Sequence, residues 1–149
     1  MQRILVAVDG SEHALRAIDL AADIGVHFDI PLVVLHVRSD AGLGQIPLDI
    51  VAYQQLENLY EAESGLLDSM ALRIAEDAAE RARRAGALSV EVLIDVGDPA
   101  STIVRLSQDL GADLIVMGRR GRGDLGGLLL GSVSHKVGHL AECAVLTVR

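Results

Sequence analysis

Near its C-terminal end the chain reads Gly118-Arg119-Arg120-Gly121, then nine residues, then Gly131-Ser132. The apolar run Leu114-Ile115-Val116-Met117 precedes this stretch, and an amphipathic segment begins at Ser132. Glycines between a strand and a helix start have a direct chemical use. Without Cβ atoms the backbone N–H groups come close to an anion, and the first helical turn adds unpaired donors and a positive dipole end. Phosphate is the group such a loop suits. Gly118 and Gly121 allow a tight exit from the strand, and Gly131 allows a second close approach. Ser132 either caps the helix or donates its hydroxyl to the anion. Arg119, Arg120 and Arg122 either neutralise a polyphosphate or are solvated loop charges. No Lys stands between Gly131 and Ser132, so the segment is not a Walker A loop.

A second polar strand end lies far away in sequence, at Asp9, directly after the apolar run Ile4-Leu5-Val6-Ala7-Val8. Its carboxylate can accept from a ribose hydroxyl or an adenine amine, help hold a divalent cation, or cap the following helix, a role Ser11 could equally fill. Gly121-Arg122-Gly123-Asp124-Leu125-Gly126 spells G-x-G-x-x-G. That fingerprint belongs in the first strand-to-helix turn, whereas here it follows the fourth strand with no clear helix until Ser132. His135 and His139 have the i, i+4 spacing of a two-histidine metal site but lack a third ligand at diagnostic spacing, so they read as surface residues. His36, inside a strand, reads as a packed, hydrogen-bonded residue. No nucleophile–base pair and no catalytic carboxylate pair is visible, which argues against efficient catalysis.

The elements that must position these residues alternate regularly. Short apolar runs predict strands at 4–8, 32–37, 90–96, 114–117 and 145–148. Ala14, Leu15, Ile18, Ala21 and Ala22 recur at helical spacing after Ser11 and Glu12. Leu56, Leu59, Tyr60, Leu66, Leu67, Met70, Ile74 and Ala78 form a long apolar stripe ending near Gly86, with Ser64-Gly65 as a point of bending or interruption. Residues 38–49 read as a loop. Asp98-Pro99 opens a third helix that runs to Gly111, and residues 132–141 form the last. This alternation predicts one α/β domain over residues 1–149, a doubly wound five-stranded parallel sheet with helices on both faces. In the order 3-2-1-4-5, the ends of strands one and four share the crevice where ligands bind such sheets. Asp9 and Gly118 would then meet.

Composition supports the same class. Among 149 residues half are hydrophobic, with no Trp, one Phe and two Tyr. The core is therefore aliphatic, as buried parallel strands require. A net charge of −8 argues against nucleic-acid binding. The lone Cys143 permits no internal disulfide. With no leader and no apolar run of ~18 residues, the sequence reads as cytoplasmic, without membrane insertion.

The spacing G-x2-G-x9-G-[S/T] at Gly118, Gly121, Gly131 and Ser132 resembles the nucleotide-binding signature of the universal stress proteins, in its ATP-binding form. The resemblance spans the chain, through Ile4 to Glu12, Leu35-His36-Val37, Gly97-Asp98-Pro99 and Ala112 to Gly118. It implies a homodimer with ATP, accompanied by Mg or Mn, in the crevice between strands one and four. Ala7, Val8 and Asp9 would border adenine and ribose, with Asp9 near the nucleotide-bound cation, and Val37 would meet adenine through its backbone. Met117, Gly118, Arg119, Arg120, Gly121, Gly131, Ser132 and Val133 would complete the site. Strand five, Val145-Leu146-Thr147-Val148, is an edge suited to pairing with a second copy. The resemblance further implies a regulatory role in stress tolerance, with hydrolysis slow or absent. AMP or cyclic AMP as ligand, an ATP-hydrolysing or adenylyl-transferring enzyme, and a module docking on a transporter domain are the alternatives. Family members commonly carry Pro where this chain has Ala144, and some carry Pro or Thr where Ala7 and Val8 stand. Neither difference removes a phosphate donor.

Overall fold

The computed structural model describes residues 1–39, 50–121 and 131–149, without the side chains of 50–63. Arg122, the remainder of the G-x-G-x-x-G match, the expected loop beyond residue 39 and the side chains of Leu56, Leu59 and Tyr60 lie outside the described residues.

The elements follow the predicted order: β1 (Ile4–Ala7), α1 (Glu12–Phe28), β2 (Leu32–Arg38), α2 (Ile50–Arg84), β3 (Val90–Val96), α3 (Pro99–Asp109), β4 (Leu114–Gly118), α4 (Ser132–Leu140) and β5 (Ala144–Val148). All pairings are parallel and the sheet order is β3-β2-β1-β4-β5. β1 is central, with Ala7 in register with Leu35 on one side and Met117 on the other. Val8 falls just outside the strand, although its N–H still donates to the Leu35 carbonyl at 2.9 Å.

Alternation along each strand divides the core into two layers. Ile4, Val6, Val8, Val34 and Val116 pack with α1 and α2, while Leu5, Ala7, Val33, Leu35, Ile115 and Met117 pack with α3 and α4. The helices meet the sheet through small residues, Ala14, Ala17, Ala21 and Ala22 on α1 and Ala71, Ala75, Ala78, Ala79 and Ala82 on α2. Removal of each large central side chain, such as Ile4 or Leu5, from water contributes about 1.5–3 kcal/mol.

α2 runs through Ser64-Gly65 without interruption. A glycine inside a helix costs only about 1 kcal/mol relative to alanine, less than the packing of the following alanine face on the sheet returns. The Ser69 hydroxyl donates to the Gly65 carbonyl at 2.8 Å there.

Candidate functional site

The exit of β1 is built by three consecutive residues. Gly10 takes φ +77°, a left-handed turn that glycine adopts without strain. Ser11 caps α1, its Oγ accepting from the Ala14 N–H at 3.2 Å. Asp9 does not cap the helix. Its Oδ1 accepts from the Ser11 N–H at 3.0 Å and so shapes the turn. Its other oxygen is turned toward strand four's exit, where a Cβ built on Gly121 would lie 2.6 Å from Oδ2. Behind this turn the half-buried His36 donates from Nδ1 to the Val8 carbonyl at 2.8 Å, the packed role its sequence position suggested.

The exit of β4 needs its glycines for reasons of space. A Cβ on Gly118 would lie 2.9 Å from the His13 carbonyl carbon and 3.0 Å from the Ala14 N, so β4 and the start of α1 touch backbone to side. A Cβ on Gly131 would meet the Arg119 carbonyl oxygen at 3.1 Å. The chain then folds back on itself: the Gly131 N–H donates to the Arg119 carbonyl at 2.9 Å, as does the Ser134 hydroxyl at 2.8 Å. The Ser11 hydroxyl reaches the Arg120 carbonyl at 3.5 Å, joining the two strand exits.

Gly131, in extended conformation, is the N-cap of α4, so Ser132 is not the cap. The helix begins one residue after the close approach, which leaves Ser132 at the first helical position with an exposed side chain. Its hydroxyl is thereby available to a ligand. Sequence reasoning missed Ser134. It is 3 % exposed, and its hydroxyl ties Arg119 to Gly131. The signal was a second serine two residues into the helix, in reach of its own first turn.

The site residues expected from the resemblance divide between the faces of the sheet. Ala7, Met117, Val37 and Val133 belong to the α3/α4 layer and gather above it, with Asp9, Gly118, Gly121, Gly131 and Ser132 around the strand ends. The Val8 side chain instead packs in the α1/α2 layer, because it alternates with Ala7, and its backbone groups are taken by Leu35 and His36. A cleft of about 360 Å³ on that opposite face, lined by Val8, Gly10, Leu15, Met70, Arg73 and Ile74, is thus separate from the glycine-loop crevice.

The exit of β4 carries positive charge beside the end of β5. Arg119 is half-buried, and its Nε is shut off from water with no hydrogen-bond partner among the described residues. This desolvation, with the neighbouring Arg149 and Arg120 charges, lowers its pKa from the ordinary guanidinium value. Such a group is ready for an anion. Among the described residues no three His, Cys, Asp or Glu side chains are grouped to hold a metal. His135 and His139 line a cavity of about 400 Å³ with Cys143 and β5, without forming such a group.

Comparison with known proteins agrees with this architecture. The universal stress protein family profile matches residues 1–149. The chain is 35% identical over 147 residues to universal stress protein YxiE of Bacillus subtilis, covering 99% of this chain and 98% of that one. Among solved structures, a universal stress protein in complex with cAMP superposes with a TM-score of 0.73 at 28% identity, over 99% of this chain and 96% of that one. The universal stress protein of Archaeoglobus fulgidus in complex with dAMP gives 0.65 at 25% identity, over 100% and 98%. Among the described residues no helix is long and apolar enough to cross a membrane. With sheet order, strand-end glycines and whole-length similarity in agreement, this chain belongs to the universal stress protein family.

Proposed function

We propose that this protein is a cytoplasmic regulatory homodimer that binds ATP, with Mg or Mn, at the crevice between the ends of β1 and β4. One observation carries the reading: Asp9, Ser11, Gly118–Gly121 and Gly131 converge there, with glycines where any Cβ would crowd the turn. The free hydroxyl of Ser132 and the exposed end of α4 would hold phosphate. Ala7, Met117, Val37 and Val133 would form an apolar floor for adenine, and Asp9 would accept from the ribose. The bound cation would neutralise phosphate charge. In this reading turnover is slow or absent and occupancy itself is the signal. A transporter domain is a candidate partner for the occupied dimer.

A monophosphate reading, AMP or cyclic AMP, has support of its own, because one solved relative is a complex with cAMP and another a complex with dAMP. Adenylyl transfer or hydrolysis requires turnover that Asp9→Ala abolishes. Mass spectrometry of nucleotide released from purified protein distinguishes ATP from the monophosphates. Calorimetry then tests the site: Ser132→Ala removes one donor to a charged group and should weaken ATP binding about tenfold to a hundredfold. Unchanged affinity in that variant would remove Ser132 from the site.

A further inference from the structure

β4 and β5 end side by side at the crevice. Gly118 is in register with Val148, and the Arg119 N–H donates to the Val148 carbonyl at 2.7 Å. One further step of the same ladder would set Arg119 beside Arg149, and the charge of Arg149 does act on Arg119. Neighbouring strands lie about 4.8 Å apart, and in-register residues of parallel strands share a face. Like charges placed so are destabilising. Neither arginine has a carboxylate side chain within ion-pairing distance among the described residues. At Arg119 the Nε is buried and has no hydrogen-bond acceptor among the described residues. Two guanidiniums with no carboxylate side-chain partner among the described residues, one half-buried and one exposed, thus sit at the open end of the sheet beside Gly118. A multiply charged anion would pair with both.

We propose that Arg149 pairs with Arg119 to receive the outer phosphates of the bound nucleotide, and so makes the site favour nucleoside polyphosphates over monophosphates. This rests on the nucleotide reading and extends it to phosphate number. The two forks come from different strands, so they can bracket an oxygen cluster that a single loop arginine could only touch from one side. An α-phosphate held at the glycine loop lies nearer the β1/β4 crevice, and the chain of phosphates would run outward toward β5.

The test uses nucleotide-stripped protein and calorimetry with ATP, ADP and AMP, on wild type, Arg149→Gln, Arg149→Lys and Arg119→Gln. Arg149→Gln should weaken ATP binding about tenfold and leave AMP nearly unchanged, while Arg149→Lys restores part of the loss. Its melting temperature without ligand should not fall, because a repulsive neighbour has been removed. Equal loss for ATP and AMP, or no loss for ATP, would overturn the proposal. Tripolyphosphate separates this proposal from the nucleotide reading. If it stabilises wild type but not Arg149→Gln while no adenine nucleotide binds, the nucleotide reading falls and takes the preference for nucleoside polyphosphates with it, leaving the arginines a receptor for polyphosphate alone. If wild type binds AMP but responds to neither ATP nor tripolyphosphate through Arg149, only the arginine proposal falls.

Discussion

Gly118 and Gly121 belong to one motif yet do different physical work. A methyl group on Gly118 would press on the backbone of His13 and Ala14, which cannot swing away. A methyl on Gly121 would press on Oδ2 of Asp9, the far end of a side chain that can turn. Gly118→Ala should therefore destabilise the fold by about 1–3 kcal/mol, as overpacking does. Gly121→Ala should keep the melting temperature and weaken nucleotide binding by displacing the Asp9 carboxylate. Thermal melts beside calorimetry separate the two, and a stable Gly118→Ala protein would contradict the close contact between β4 and α1. The spacing of these glycines was legible in the sequence, but the reason for each was not. Which atom faces a missing Cβ depends on elements more than a hundred residues apart. The same holds for Ser134, whose hydroxyl acquires its role only when Arg119 folds back over α4.

At the scale of elements, all five strands were located to within a residue or so: the inner three are continuous apolar runs because buried parallel strands must be apolar on both faces, and the edge strands β3 and β5 are shorter on apolar residues but still β-rich. Caps with an acceptor side chain were also legible: Ser11 and Asp98 both take the amide of the residue three further on. The start of α4 at Ser132 was legible too, but its cap was not, since Gly131 fills that place with no side-chain hydrogen bond. The Asp98 cap carries a pH signature. The Ser101 N–H and then its hydroxyl hold the Asp98 carboxyl below its usual pKa. Asp113 is lowered by the Gln2 and Arg3 amides, and Asp19 by its hydrogen bond to Arg81. Carboxyl groups lowered on folding stabilise the native state above their unfolded pKa of about 4 and lose that contribution as pH falls. Melting temperature should accordingly drop on acidification below about pH 4. Asp98→Ala should melt a few degrees lower at neutral pH, with the gap to wild type closing in acid. A gap that stays constant with pH would show that the cap contributes through packing alone.

For the whole molecule, β3 and β5 are the two edges of the sheet. Leu146 and Val148 pack on the α1/α2 layer, whereas Val145 packs on the other. The backbone polarity of β5 follows from its bonds to β4. Ala144 donates to the Asp113 carbonyl at 3.3 Å, and the Val148 carbonyl accepts from Arg119. Residues 144, 146 and 148 thus point their polar groups inward, and 145 and 147 point theirs at the open edge. Leu146→Pro would damage the sheet itself, so the edge is tested at Thr147. If two copies pair through β5, Thr147→Pro removes an outward donor and should yield folded monomer by light scattering. A folded Thr147→Pro dimer would move the interface elsewhere, to the long helix α2 with its exposed Leu66 and Met70. The whole-molecule architecture was the most legible level of all, because element order, connection handedness and strand composition leave few sheets to choose from.

The central claim is that an adenine nucleotide occupies the crevice at the ends of β1 and β4. Backbone amide NMR shifts during titration with ATP and Mg test it residue by residue. The prediction is a saturable response concentrated at Ala7–Ser11, Val37, Gly118–Gly121 and Gly131–Val133, with Met70 and Ile74 in the opposite cleft unmoved. Saturable shifts centred on Met70 and Ile74, or no saturable shifts at the strand ends, would contradict it.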